Sequence, residues 1–467
     1  MARTKISTSE RAQRLASGFR ASQSADGVEW VFWRSTWHQW TGTHYRPVDD
    51  DTFDGKVCVY VTAQLDSALK DDAPSVGRSL VRDVITHIKA AVTKESAWEA
   101  PFALDSRGPS GQCVTFTNGI LNITRLLAGE ADAFSPEHDR HWFSLTCLPF
   151  AYQPEARAPK FDQFLTQTFE SDQEIVNFLY EWFGYNCVVD YQFQHFVVLT
   201  GEGQVGKSTL LAVLEDLLGR SNISFVPYQL FTERFSLATT IGKLANIAGE
   251  IDGATRRAEN NIKEYTGGGT MYVDIKGKAP VHLRPTARLT FACNKVPTFF
   301  DKSRAMRRRT IIVPFTRLVP DHERNTKLGE ELRAELPGIF NRAVEGLKAL
   351  YTRHGFHIPQ RCEEAIEAHV LESNPALQFL GEFTELDERA DVSADLLWDR
   401  YKFWYSNSGP FDDKLRNKAQ FGRDVKTWSK GKVERVQLRK EGKRGYFYRG
   451  LRYTDDVLDV VDVKEAA

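Results

Sequence analysis

Cysteine is scarce in this chain, and the little there is lies scattered. Cys58, Cys113, Cys147, Cys187, Cys293 and Cys362 are the only six in 467 residues, and none forms a CxxC pair. That excludes the usual zinc-ribbon spacing and argues for a reducing compartment rather than a disulfide framework. His38 and His44, and likewise His138 and His141, are close pairs without a cysteine nearby and read as ordinary polar histidines. No apolar run approaches the roughly 20 residues that a membrane-spanning helix requires. The first 27 residues are rich in Arg, Ser and Ala yet lack the apolar centre of a secretory signal, and Glu10 and Asp26 weigh against a transit peptide. They read as a mobile tail. Excess charge is missing too, since the formal net charge is −1. An evenly charged nucleic-acid binder is thereby excluded, but a locally basic one is not. Ahead of residue 200 there is no convincing pair of carboxylate motifs for primer synthesis.

What the chain does have is Gly201-Glu202-Gly203-Gln204-Val205-Gly206-Lys207-Ser208, which fills every defined position of a phosphate-binding loop. Phe196-Val197-Val198-Leu199 before it reads as a buried strand. The run from Thr209 to Leu218 after it reads as a helix ended by Gly219. Strand, loop and helix in this order turn consecutive backbone N–H groups toward an anion and add the field of a helix N-terminus. Lys207 then supplies a point charge, and the Ser208 hydroxyl is placed to ligate Mg²⁺. A nucleoside triphosphate is the expected ligand, with ATP and Mg²⁺ bound by Gly201 through Thr209.

Further candidate sites follow. Lys243 to Asp252 reads as a second core strand that delivers Glu250 and Asp252 at its C-terminal end, where α/β sheets place their ligands. Two residues apart, these carboxylates share one face of an extended chain. One would hold the metal's water shell and the other polarise the attacking water, with Glu250 the stronger choice. Ala287 to Cys293 reads as a third strand ending at Asn294, whose amide both donates and accepts. Asp301 and Arg304 follow, then Arg307-Arg308-Arg309 ahead of the strand Thr310 to Phe315. These arginines read either as anion clamps or as solvated surface.

The ordered set resembles the superfamily 3 helicases, closest to the helicase part of phage, plasmid and poxvirus-type primase-helicases. It comprises the phosphate loop, the strand ending in Glu250, Ile262-Lys263-Glu264-Tyr265-Thr266-Gly267-Gly268, Lys276, Pro285 to Asn294, Phe300-Asp301 and Arg308-Arg309. The likeness reaches outward to Phe116–Asn122, to Leu148–Tyr185 and to Leu336–Leu347. It implies an AAA+-like P-loop core with a mostly parallel sheet, in which Glu250 activates water and Asn294 acts as sensor. Arg308 or Arg309 would reach a neighbouring subunit's ATP. Lys276, with Lys278 beside it, would contact DNA from a hairpin in a central channel. The family further implies a hexameric ring that moves 3′ to 5′ on one strand. Two positions depart from the pattern. Val205 stands where close relatives usually carry Asn, and Gly269 stands where an Asp often follows the glycine pair.

Beyond the motor, basic residues crowd Lys414 to Arg452, opposed only by Asp424, Glu434 and Glu441. Phosphate neutralisation is the obvious use. Helical spacing over Asp395–Ser406 and Ala419–Ser429, then strands at Val433–Leu438 and Gly442–Tyr448, suggests a winged helix with Lys426, Arg435, Arg439, Lys443 and Arg444 on DNA. Trp30, Trp33, Trp37 and Trp40 recur every three or four residues, as one face of a helix or as a strand-rich aromatic cluster, with core packing favoured over base stacking. Asp49-Asp50-Asp51 reads as a polar turn.

The length admits about three domains. The expected boundaries are a tail at 1–27, an N-terminal region at 28–110, a helical domain at 111–190 and an ATPase at 191–350. A helical linker at 351–380, a winged helix at 381–455 and an acidic tail at 456–467 complete them. The expectation is an α/β ATP-driven replicative DNA helicase of a phage, plasmid or mobile element, working in a bacterial host's cytoplasm as a homo-oligomer. Two rivals are a DNA-binding replication initiator and an ATPase switch or loader that unwinds nothing.

Overall fold

The computed structural model describes residues 7–24, 28–68, 77–108, 111–249, 251, 256–297, 304–407, 415, 417–440 and 443–454. The chain divides into two compact units, Met1–Glu363 and Glu364–Ala467.

The described part of the first unit begins with helix α1 (Thr8–Gln23), inside the segment expected to be a tail. Ser7 Oγ accepts from the Glu10 backbone N–H at 3.2 Å and caps it. Ala12, Ala16 and Phe19 recur at helical spacing and are buried. A three-stranded meander follows: β1 (Trp30–Trp33), β2 (Thr36–Trp40) and β3 (Tyr45–Val48). The β1–β2 turn is Arg34-Ser35, both with positive φ (48° and 56°), as a tight two-residue hairpin requires. All four tryptophans are buried, and Trp37 stacks on Phe53 at 3.6 Å between ring centroids. They belong to the core, on strands. Asp49 caps the start of helix α2 (Asp50–Ala68), accepting from Thr52 N at 2.7 Å. Helix α3 (Arg78–Val92) completes this layer with Val84, Ile88 and Val92 inward.

The expected helical domain at 111–190 is in part strand. β4 (Cys113–Phe116) and β5 (Gly119–Asn122) form a hairpin over the segment predicted to be helical. Helices α4 (Pro159–Thr168) and α5 (Gln173–Asn186) follow as expected.

The centre is a five-stranded, wholly parallel sheet. Its strands are β6 (Phe196–Thr200), β7 (Ile223–Ser224), β8 (Ala245–Gly249), β11 (Arg288–Cys293) and β12 (Thr310–Pro314), in the spatial order β7-β8-β11-β6-β12. β6 and β11 are apolar or β-branched almost throughout, as strands covered on both faces must be, and Phe196 to Leu199 are at most 1 % exposed. Helix α6 (Lys207–Leu218) leaves the sheet after β6, and α7 (Arg256–Tyr265) precedes a separate hairpin, β9 (Met271–Val273) with β10 (Val281–Leu283). Helix α8 (Leu336–Arg353) runs back against α5, and the two approach at glycines. A Cβ on Gly184 would lie 2.1 Å from Ala343 O, so no larger residue fits there.

The second unit has its own core and starts earlier than the expected 381. Helix α9 (Pro375–Phe383) contributes Leu377, Phe379 and Leu380 to that core. Then come β13 (Thr384–Ser393), α10 (Ala394–Asn407), α11 (Lys418–Trp428), β14 (Glu434–Lys440) and β15 (Lys443–Tyr453), the strands forming an antiparallel sheet in the order β13-β15-β14. α11 starts at a reciprocal cap, Asn417 Oδ1 accepting from Gln420 N at 2.9 Å and Gln420 Oε1 from Asn417 N at 3.1 Å. Both expected helices and the basic hairpin are present. α9 overlaps the end of the helical linker expected at 351–380 but belongs to this unit's core, and β13 had not been expected. Among the described residues, no helix is long and apolar enough to cross a membrane.

Candidate nucleotide-binding site

The site grows from the C-terminal edge of the parallel sheet, where loops diverge from neighbouring strands. After β6 the chain turns through Gly201, at φ +148°, and Gln204, at φ +67°. Gly206, at φ +96°, ends the loop as the N-cap residue of α6 and brings no side-chain acceptor to its first turn. The N–H groups of that turn, at Lys207, Ser208 and Thr209, are therefore left for an anion.

A cavity of about 620 Å³ opens here, walled by Glu202 through Thr209, by Gly249 at the end of β8, and by Cys293 and Asn294 at the end of β11. Three adjacent strands thus deliver their C-terminal ends to one space. Lys207 Nζ donates to Glu202 O at 2.8 Å, to Gly201 O, and to Asn294 Oδ1 at 3.4 Å. Partial burial lowers the Lys207 pKa. Asn294 is fixed in turn, its carbonyl accepting from Thr200 Oγ1 at 3.1 Å. The Cys293 thiol is pushed up to about 11 by burial, so it lines the wall as a neutral group.

Val205 is 4 % exposed and packs into the main core. Its side chain serves packing while its backbone stays in the loop, which is compatible with the departure from Asn. A Cβ on Gly269 would meet nothing within 4 Å.

Glu250 and Asp252 lie outside the described residues, as do Phe300 and Asp301. The arginines preceding β12 separate. Arg309 is 9 % exposed and held inside its own chain, donating to Gln194 Oε1 at 3.1 Å and to Ala305 O at 3.2 Å. Burial, then the neighbouring Arg308, lowers its pKa. Arg308 is exposed. Both sit at the opposite end of the sheet from the loop, because Thr310 pairs with Phe196, the first residue of β6.

Lys276 is exposed in the β9–β10 turn, on the hairpin expected for it. Lys278 is not free beside it. Its Nζ donates to Ser35 O at 2.8 Å and to Thr36 Oγ1 at 3.1 Å. In the second unit, Lys426, Arg439 and Arg444 are exposed. Arg435 lies over the Tyr446 ring at 4.1 Å, and Arg444 donates to Gln437 Oε1 at 3.0 Å. Lys443 belongs to β15, but its side chain is outside the described residues.

One neighbour of the loop had no signal in the sequence. Arg324 donates to Gln204 Oε1 and is paired with Asp321 at 2.9 Å. Val319 N donates to Gln204 O at 3.1 Å. This segment folds over the loop from beyond β12, a placement that no local pattern could announce.

Comparison with known proteins gives one family match ahead of this site and one that spans it. Residues 16–170 match a family described as D5 N terminal like, and residues 199–309 match a family of unknown function, DUF5906. A "putative helicase" of Acanthamoeba polyphaga mimivirus is 30 % identical over 142 residues, which is 29 % of this chain and only 15 % of that protein. The A-form apo structure of the NrS-1 C-terminal region covers 92 % of this chain and 98 % of its own, with a TM-score of 0.51 at 12 % identity. A second apo structure of that region, residues 305–718, covers 93 % and 98 %, with a TM-score of 0.51 at 11 % identity. These structural likenesses concern the fold. Taken with the family matches, they support the resemblance to phage-type primase-helicases that the motifs carry.

Proposed function

We propose that this chain, similar to the phage-type primase-helicases, is the ATP-driven motor of a replicative DNA helicase from a phage, plasmid or mobile element. The observation that carries the reading is the convergence of Lys207 and Asn294 on one cavity at the C-terminal edge of the parallel sheet. The order β7-β8-β11-β6-β12 around the loop strand fits an AAA+-like P-loop core. The donor set suits a triphosphate, with uncapped N–H groups at the start of α6 and one ammonium in reach.

In this reading the loop N–H groups and Lys207 hold the phosphates, the ammonium exchanging the Gly201 and Glu202 carbonyls for phosphate oxygens. The Ser208 hydroxyl and Glu250 would hold Mg²⁺, which neutralises the charge on the β- and γ-oxygens. Glu250, or Asp252 in its place, polarises water, and Asn294 orients it. Arg308 cannot serve its own site, since the length of β6 separates them by about 16 Å. It would complete a neighbour's site in a ring, for which the family implies six subunits and 3′ to 5′ movement.

The order helix, strand, two helices and two strands in the second unit fits a winged helix, with Lys426, Arg435, Arg439, Lys443 and Arg444 toward duplex DNA. Exposed Lys276 at a hairpin turn favours translocation over a pure ATPase switch, which needs no cation there. DNA-stimulated phosphate release tests the chemistry. Lys207→Ala should lose tight nucleotide binding, whereas Glu250→Gln should keep it and slow hydrolysis by about 10²-fold or more. Near wild-type hydrolysis by Glu250→Gln would move the role to Asp252.

A further inference from the structure

The β9–β10 hairpin is an isolated two-stranded sheet, with no ladder to the central five strands. Such a hairpin is marginal by itself and needs an outside support to hold one pose. Its inner face, Met271, Val273, Val281 and Leu283, is buried. One polar attachment stays within the ATPase region, where Asp274 accepts from Arg234 Nε at 3.0 Å, and two others lead to the first turn of the N-terminal meander and to Glu99, which is paired with that turn. From the turn, Lys278 Nζ reaches Ser35 O at 2.8 Å and Thr36 Oγ1 at 3.1 Å. From just beyond β10, Arg284 N donates to Glu99 Oε1 at 3.1 Å.

Glu99 is in turn ion-paired with Arg34 at 2.8 Å. Arg34 is 6 % exposed, donates from Nε to Ser96 O at 3.1 Å, and lies over the Trp33 ring at 4.3 Å. The receiving turn is stiff, because Arg34 and Ser35 both hold positive φ in a two-residue connection between buried strands. Charge-assisted hydrogen bonds at two points of a small element, one onto a rigid turn and one onto the carboxylate that pairs with it, fix its orientation as well as its position.

We infer that the Arg34-Ser35 turn is the seat of the motor's hairpin, that Lys278 is a positioning residue rather than a DNA contact, and that hairpin and meander move as one body during ATP turnover. The inference rests on the reading that the hairpin carries Lys276 to DNA. It extends that reading, because residues 28–108 then help set the working stroke.

The test uses the full chain. Lys278→Met should raise the ATP consumed per base pair opened by about threefold or more, with DNA-free ATPase and single-strand affinity unchanged, and Lys278→Arg should restore the ratio. Hydrogen exchange should quicken about tenfold in both 271–283 and 30–40 on Lys278→Met, whether or not the protein unwinds DNA. Joining Ser35→Cys to Lys278→Cys with a short bismaleimide, in a Cys58→Ser background, should leave unwinding intact. A crosslink that stops unwinding while ATPase continues would overturn the single-body inference. So would exchange that quickens in neither segment or in the hairpin alone, or a Lys278→Met protein whose only change is weaker single-strand binding. A wild-type chain that opens no duplex would instead remove the functional reading while leaving the exchange result standing.

Discussion

Gly201 and Phe315 close the ends of adjacent strands over the phosphate loop. Phe315 N donates to Thr200 O at 2.7 Å, and a Cβ on Gly201 would lie 2.3 Å from Phe315 O. The glycine is required twice over, by that approach and by a φ of +148° that side chains rarely adopt.

Gly201→Ala should therefore destabilise the chain by about 2 kcal/mol or more and weaken nucleotide binding with it. Gly203→Ala in the same loop is the control. A Cβ there meets nothing within 4 Å, so the melting temperature should hold. Thermal melts of the two variants decide the matter, and equal losses would contradict the geometry.

Arg308 and Arg309 should part company in the same way. Arg309→Ala strands Gln194 and removes a buried guanidinium, so it should lower stability by about 1 to 3 kcal/mol. Arg308→Ala should leave the melt unchanged and abolish ATPase. Mixing it with Lys207→Ala subunits should recover part of the activity at shared interfaces. No recovery would mean that Arg308 does not act between subunits.

Acid should loosen the first unit. Burial holds His38, His44 and His195 at about 4, below the ordinary 6.5. Between about pH 6.5 and 4 the unfolded chain binds the additional protons, so stability falls as pH drops through that window. His38 accounts for part of the slope, and His38→Gln should flatten it in denaturant melts between pH 7 and 4.5. An unchanged slope would show that His38 is not among its causes.

The Gly201–Ser208 loop was legible because its signal is local, with strand, glycines, lysine and helix standing side by side. The Lys276 hairpin and the basic C-terminal hairpin were legible for the same reason. Lys278 was not, since its partners lie 242 and 243 residues away and only folding brings them near. The tryptophan spacing allowed helix or strand because the two-residue turn at Arg34-Ser35 interrupts the alternation on either side. β13 escaped notice because Glu385, Asp387, Glu388 and Arg389 give it no apolar pattern, and it forms by pairing with β15 from Thr384↔Tyr453 onward. α1 carries a signal, Ser7 followed by Glu10, beneath a composition that suggests a tail. Arg308 and Arg309 look alike in sequence, and burial alone tells them apart.

The most direct measurement of the central claim is strand displacement on a forked duplex, with ATP against a non-hydrolysable analogue. The account predicts displacement with ATP alone, lost in Lys207→Ala through failed nucleotide binding and lost in Lys276→Ala with nucleotide binding intact. Normal ATPase and duplex binding without any displacement, or displacement undiminished in Lys276→Ala, would contradict it.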